Sequence, residues 1–164
     1  MTMVELFVAE LTREAATTRR VLERVPDAHL AWRPHAKSMS LGQLAYHISA
    51  VPRGVANLLD QPEGSPARGT LPEDMPAAEL VANLDRNIAY AVERLQSWGD
   101  AGLAETWRFK RGEETMFEQP RGSMVRGVML NHWYHHRGQL TVYLRMLDVP
   151  LPSIYGPSAD EQPF

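Results

Sequence analysis

Four segments with apolar side chains spaced three and four positions apart constrain the fold of this chain more than any other feature. This spacing places the apolar side chains on one face of an α-helix. The predicted helices run over Val4 to Val25, Ser40 to about Leu59, about Pro76 to Trp98, and Ser123 to about Leu147. Amphipathic helices of this number and length predict an all-α fold, an antiparallel four-helix bundle formed by one domain over residues 1–164.

Local signals refine this prediction at the ends of the helices. Ser40 and Gln43 have the spacing of a capping box, and Ser123 is the predicted N-cap of the fourth helix. The stretch 103–122, between the third and fourth predicted helices, has the weakest helical pattern of the internal segments. Its weak alternation of apolar and polar residues predicts an irregular insertion or a short hairpin before the last helix. Four prolines predict an irregular tail from Asp148 to Phe164 that lies over the surface.

The composition of the chain excludes several classes of protein. Its 17 basic and 20 acidic side chains give a formal charge of −3, so the sequence predicts no nucleic-acid partner. Charged residues at 23% and hydrophobic residues at 44% are typical of folded globular proteins. No apolar run has the length of a membrane-spanning helix, and the N-terminus has no signal-peptide pattern. We therefore expect a cytoplasmic protein without a membrane partner.

The chain contains no cysteine but six histidines. Disulfide bonds, thiolate nucleophiles and cysteine-based zinc or iron–sulfur sites are therefore excluded. The sequence also has no Ser/His/Asp arrangement, glycine-rich phosphate loop or pair of carboxylates at a meaningful spacing, and it assigns no catalytic residue. Any metal site must use histidine, aspartate or glutamate.

Three of the six histidines lie on predicted inward faces. His132 and His136 are four residues apart on the fourth helix, about 6 Å along its axis, and project from the same side. His47 shares the inward face of the second helix. Two ligands on one helix and one on a facing helix are typical of metal sites in bundles. The alternative is that these imidazoles only form hydrogen bonds in the core.

Three histidines without a neighbouring carboxylate predict a metal site with open coordination positions. Such a donor set suits zinc, nickel, iron, copper or manganese better than calcium or magnesium. Gln139 lies on the same face, where it could hold a water or the second nitrogen of a ligand imidazole, or bond to another helix. His135 is predicted to flank the site, and His29 and His35 to face solvent from a loop.

Other polar and aromatic residues near these positions are assigned more ordinary roles. Glu14 and Arg137 are predicted on solvated faces, although an arginine at position 137 could also bind an acidic substrate. Tyr46, Trp133 and Tyr134 flank the histidines, either as walls of a pocket or as core residues.

The chain resembles the DinB/YfiT-like superfamily. The resemblance rests on Ser40-Leu-Gly-Gln-Leu-Ala-Tyr-His47, on Asn131-His-Trp-Tyr-His-His-Arg-Gly-Gln-Leu140, on Trp32-Arg-Pro-His35 and on the proline-rich ending 149–161. It spans essentially the whole chain. It implies an up-down-down-up four-helix bundle that is often homodimeric, and a divalent metal, commonly nickel or zinc. Iron and manganese stay candidates because of the imidazole donors. Carried over by position, the metal ligands are His47, His132 and His136.

The site and the resemblance together predict a metal-dependent enzyme acting on a small molecule. Members of this superfamily include bacillithiol-dependent S-transferases and a mycothiol-dependent isomerase, so the resemblance implies a low-molecular-weight thiol. Metal-assisted hydrolysis is equally compatible with the residues. The alternatives are a non-catalytic metal-binding stress-response protein and a metal-free bundle that dimerises. Because the chain has no cysteine, any reacting thiol must arrive with the substrate.

Overall fold

Long helices form most of the computed structural model, which describes residues 1–65 and 69–162. Helix α1 spans Met3–Leu22, α2 spans Leu41–Asp60, and α3 spans Ala77–Ala104 with a break at Gly99. A fourth helical stretch, 121–146, consists of α4 (Arg121–Met124), a π-helical segment (Val125–Asn131) and α5 (His132–Met146). The last two residues of the predicted tail lie outside the described residues. No helix in the described ranges is both long and apolar enough to cross a membrane.

A three-stranded sheet accompanies the helices, in the order β1 (Glu63–Gly64), β2 (Thr106–Arg111) and β3 (Glu114–Pro120). β2 and β3 form an antiparallel hairpin within the stretch where a hairpin was one of the two predictions. β1 pairs in parallel with β2. The prediction of an all-α antiparallel bundle is therefore wrong, since the fold combines four helices with a mixed sheet. β1 has only two residues and pairs with a strand far along the chain, so no local pattern indicates it.

Gly64 of β1 packs closely against Trp107 of β2 and against Leu58 of α2, which ties the sheet to this helix. The Trp107 side chain is fully buried. A Cβ atom at position 64 would lie 2.4 Å from the Trp107 ring and 2.5 Å from Cδ1 of Leu58. Only glycine allows this approach of backbone to indole. Phe109 and Phe117 stack across the hairpin with ring centroids 5.2 Å apart. Phe109 lines one cavity together with Val55 and Leu58 of α2.

The helix ends agree with the predicted caps at α2 but not at the fourth stretch. Ser40 Oγ accepts a hydrogen bond from the Gln43 backbone N–H at 3.2 Å, and Gln43 Oε1 accepts one from the Ser40 N–H at 3.0 Å. Ser123 does not cap the fourth stretch, because the helix begins earlier, directly after Pro120. The fourth stretch is also not the regular α-helix that the sequence predicted, because a π-helical segment lies before His132. The His132 N–H bonds to the Gly127 carbonyl, five residues earlier in the chain.

The helices pack so that α1 and α2 each contact both α3 and α5. Apolar side chains from all of them fill the space between, among them Leu11, Ile48, Leu84 and Leu140. This arrangement brings the inward faces of α2 and α5 together. The tail is irregular, as predicted, but an ion pair between Asp160 and Arg145 anchors it to α5. Within the tail, Asp160 also accepts a hydrogen bond from the Leu151 N–H at 2.9 Å.

Candidate metal centre

His47 of α2 and His132 and His136 of α5 converge between the two helices. One ring nitrogen from each lies within 4.8 Å of the other two, and Nε2 of His47 is 3.1 Å from Nε2 of His132. The ring centroids are 4.3, 4.6 and 5.3 Å apart, and all three side chains are partly buried. The structure therefore brings together the three histidines that the sequence assigned to inward faces.

A hydrogen bond next to these histidines sets the register between α2 and α5. The Trp133 indole N–H donates to the Ile48 carbonyl at 2.8 Å, and the Trp133 side chain is fully buried. Each of these residues directly follows a histidine of the cluster, so the bond holds His132 opposite His47. The π-helical segment ends immediately before His132. Such segments are frequent at functional sites.

The surroundings of the three imidazoles favour their neutral form by lowering the pKa of each. Burial, followed by the charges of His136 and His132, lowers the pKa of His47 from 6.5 to about 4. Burial is also the main cause that lowers the pKa of His132 and of His136, and the neighbouring His135 adds to both effects. Neutral imidazole is the form that binds a metal ion.

These pKa values predict that the metal-free protein loses stability as the pH falls from 6.5 to about 4. In this window the unfolded chain binds more protons at position 47 than the folded chain, so stability decreases with decreasing pH. The free energy of unfolding in urea should be measured against pH with a chelator present. The His47→Gln variant has no proton to bind there and should show a shallower dependence. Equal slopes for the two proteins would contradict the prediction.

Gln139 and His135 stand in different relations to the cluster. Nδ1 of His136 lies 2.7 Å from Oε1 of Gln139. With Nδ1 donating to this amide oxygen, Nε2 of His136 carries the free lone pair. Of the three roles that the sequence left open for Gln139, this contact corresponds to holding the second nitrogen of a ligand imidazole. His135 is exposed, with its ring centroid 5.1 Å from that of His136, and His29 and His35 are exposed in the loop after α1.

A buried charge network lies next to the cluster, and the sequence analysis missed it. Arg137 Nη2 is 2.7 Å from Oε2 of Glu14, and their side chains are only 2% and 7% exposed. Arg137 also donates to Thr18 Oγ1 at 3.1 Å, and the Tyr155 hydroxyl donates to Glu14 at 2.9 Å. The assignment of Glu14 and Arg137 to solvated faces is therefore wrong. The available signal was the spacing of Glu14 between Leu11 and Thr18 on the inward stripe of α1.

A cavity of about 450 Å³ opens beside two of the histidines. His47 and His132 form part of its wall, and the other lining residues are Ala50, Val51, Gly54, Val55, Leu58, Ser65, Phe109 and Val128. The aromatic residue in this wall is Phe109 from the sheet. Trp133 is instead a core residue, and the hydroxyl of Tyr134 contacts Glu10 at 3.0 Å.

Comparison with known proteins identifies the family of the chain. The profile of the DinB family matches residues 1–163. The uncharacterised protein YrdA of Bacillus subtilis strain 168 is 30% identical over 153 residues, which cover 90% of this chain and 85% of YrdA. The chain belongs to the DinB family, which confirms the resemblance seen in the sequence.

Two solved structures share the fold. A DinB-like protein of Bacillus cereus ATCC 10987 has a TM-score of 0.67 at 24% identity, over 92% of this chain and 97% of that protein. The DinB-like protein YjoA of Bacillus subtilis also has a TM-score of 0.67, at 19% identity, over 95% of this chain and 98% of that protein.

Proposed function

We propose that His47, His132 and His136 bind one divalent transition-metal ion and that the protein is a metal-dependent enzyme. The observation that carries this proposal is the convergence of three partly buried imidazoles, with one nitrogen of each within 4.8 Å of the others. In the described part of the chain this group consists of imidazoles only, a donor set that favours nickel or zinc over calcium or magnesium.

The residues fit such an ion. Two nitrogens bonded to one metal at 2.0–2.1 Å lie about 2.8–3.4 Å apart at adjacent octahedral or tetrahedral positions. The 3.1 Å between Nε2 of His47 and Nε2 of His132 falls in this range. Gln139 orients the His136 ring, and the Trp133 bond to Ile48 holds the two helices together. With three protein ligands and no thiol, the site keeps positions for a substrate or a water, as catalytic sites do.

The reaction we propose is thiol transfer or hydrolysis. A bound divalent ion lowers the pKa of a ligated thiol or water and polarises an electrophile. The protein's own contribution is to present that site next to a cavity lined mostly by apolar side chains. The low-molecular-weight thiol, the homodimer and the cytoplasmic location stay predictions from the sequence.

Titration of the metal-free protein with nickel chloride and zinc chloride tests the metal site. We expect one equivalent to bind per chain at pH 7.5, measured by calorimetry. Because the surroundings favour the neutral imidazoles, little proton release should accompany binding, which two buffers of different ionisation enthalpy would reveal. Calcium and magnesium chloride are the controls and should show no binding. Absence of nickel and zinc binding would contradict the proposal.

A second experiment tests catalysis. The nickel- and zinc-loaded protein is mixed with cysteine or glutathione plus 1-chloro-2,4-dinitrobenzene, and separately with 4-nitrophenyl acetate. We expect turnover in one of these assays that exceeds that of the His47→Ala variant. Metal binding without turnover, extended to a wider set of thiols and esters, would instead favour the alternative of a non-catalytic metal-binding protein.

A further inference from the structure

We propose that the cavity beside His47 and His132 binds the apolar part of the substrate. The substrate is then an alkyl- or aryl-bearing molecule with one metal-binding polar group and no charge on its apolar part. This inference rests on the proposed function, because the histidine site would hold the polar group at the end of the cavity.

The chemistry of the cavity wall carries this inference. Six of the lining residues are apolar, namely Ala50, Val51, Val55, Leu58, Phe109 and Val128. Within the described residues the wall contains no lysine, arginine, aspartate or glutamate. A charged group placed there would lose its hydration without a counter-charge, which is costly. An alkyl or aryl group would instead gain from leaving water.

The position and size of the cavity support the same substrate class. Its volume of about 450 Å³ lies within the range of about 300–1,000 Å³ that is typical of small-molecule sites. It extends from the histidines on α2 and α5 to Phe109 on β2. A larger apolar groove of about 680 Å³ near Met3 and Phe7 is lined by none of the three histidines in the described chain.

A series of linear hydroxamic acids tests the inference, because these probes share one metal-binding head and differ only in chain length. Acetohydroxamic, butanohydroxamic and hexanohydroxamic acid are titrated into the nickel-loaded protein. We expect the affinity to rise about fourfold per methylene, which corresponds to about 0.8 kcal/mol per buried CH₂. Nickel binding combined with equal affinities across the series would overturn the inference while leaving the metal site intact.

A pair of glycine variants locates the effect in the cavity. Gly54 lines the cavity, and a Cβ atom there would meet nothing within 4 Å, so Gly54→Phe adds a bulky side chain at the cavity wall without moving the backbone. We expect hexanohydroxamic acid to bind this variant at least about tenfold more weakly, with nickel affinity unchanged. Gly138→Phe is the matched control, because position 138 is also helical and open but lies outside the cavity wall. Equal weakening in both variants would count against the cavity.

Two further measurements keep the test decisive. If Gly54→Phe loses its helical circular dichroism, Val128→Phe, at a lining position on the π-helical segment, replaces it. The neutral fluorophore N-phenyl-1-naphthylamine is titrated into metal-free wild type and the filled variant. Binding of this fluorophore by the wild type but not by the filled variant supports an apolar binding cavity even if nickel fails to bind. Absence of fluorophore binding by both proteins overturns the inference. Failure of the proposed function and failure of this inference are thus separable.

Discussion

Replacing His47 or His136 with alanine should weaken nickel binding by at least about 100-fold, because loss of a residue that only supports a ligand already costs about 10–100-fold. Each of these imidazoles contributes one of three converging nitrogens, and the cluster contains no spare donor within the described residues. Nickel affinity is measured by competition with a chelator of known affinity at pH 7.5. Circular dichroism confirms that the helices remain.

Two neighbouring residues provide graded controls for this prediction. His135→Ala changes an exposed histidine on the same helix and should leave nickel affinity within about twofold, as expected for a solvent-exposed group. Gln139→Ala removes the contact at 2.7 Å to His136 and should weaken nickel binding by about 10-fold. This loss lies between that expected for His135→Ala and that expected for the ligand variants. Wild-type affinity in His47→Ala, or a loss in His135→Ala as large as in His136→Ala, would show that the ligand set is wrong.

Replacing Arg137 with methionine should lower the free energy of unfolding by about 3–5 kcal/mol. The change leaves the Glu14 carboxylate, in a side chain only 7% exposed, without its guanidinium partner at 2.7 Å. A loss of this size is a large part of the typical stability of a domain, which is about 5–15 kcal/mol. Urea unfolding at pH 7, followed by tryptophan fluorescence and circular dichroism, measures it.

The double variant Glu14→Leu with Arg137→Met separates the ion pair from simple loss of packing. Because both charges are removed together, most of the lost stability should return. Tyr155→Phe is the milder control, since it removes only hydrogen bonds at the edge of the network and should cost about 1 kcal/mol. A change below about 1 kcal/mol for Arg137→Met, less than a typical buried hydrogen bond, would mean that the pair is not important for folding.

Helices were predictable because their signals are local. The three-and-four spacing of apolar residues and the Ser40–Gln43 pair depend only on neighbours in the chain. The hairpin was partly predictable from alternation around Trp107. The two-residue strand at Glu63–Gly64 was not, because its partner strand is distant in sequence and only the folded chain brings the two together. The π-helical segment likewise had no local signal that was recognised.

Glu14 and Arg137 show that prediction from sequence neighbours is limited for individual side chains as well. A charged side chain in a sequence is normally assigned to the surface, because burial without a partner is costly. Here the partners lie on α1, α5 and the tail, and their approach depends on how these elements pack. The spacing of Glu14 indicated an inward position, but nothing local identified Arg137 as its partner.

The sequence by itself determined the helices, the family and the choice of His47, His132 and His136 as candidates, because helical periodicity fixes which side chains share a face. Only the tertiary structure decided that their nitrogens converge and that Gln139 contacts Nδ1 of His136. It also decided that a sheet supplies Phe109 to an apolar cavity beside them. These features arise between elements that are distant in the chain. Their geometry is set by packing, which no single helix contains.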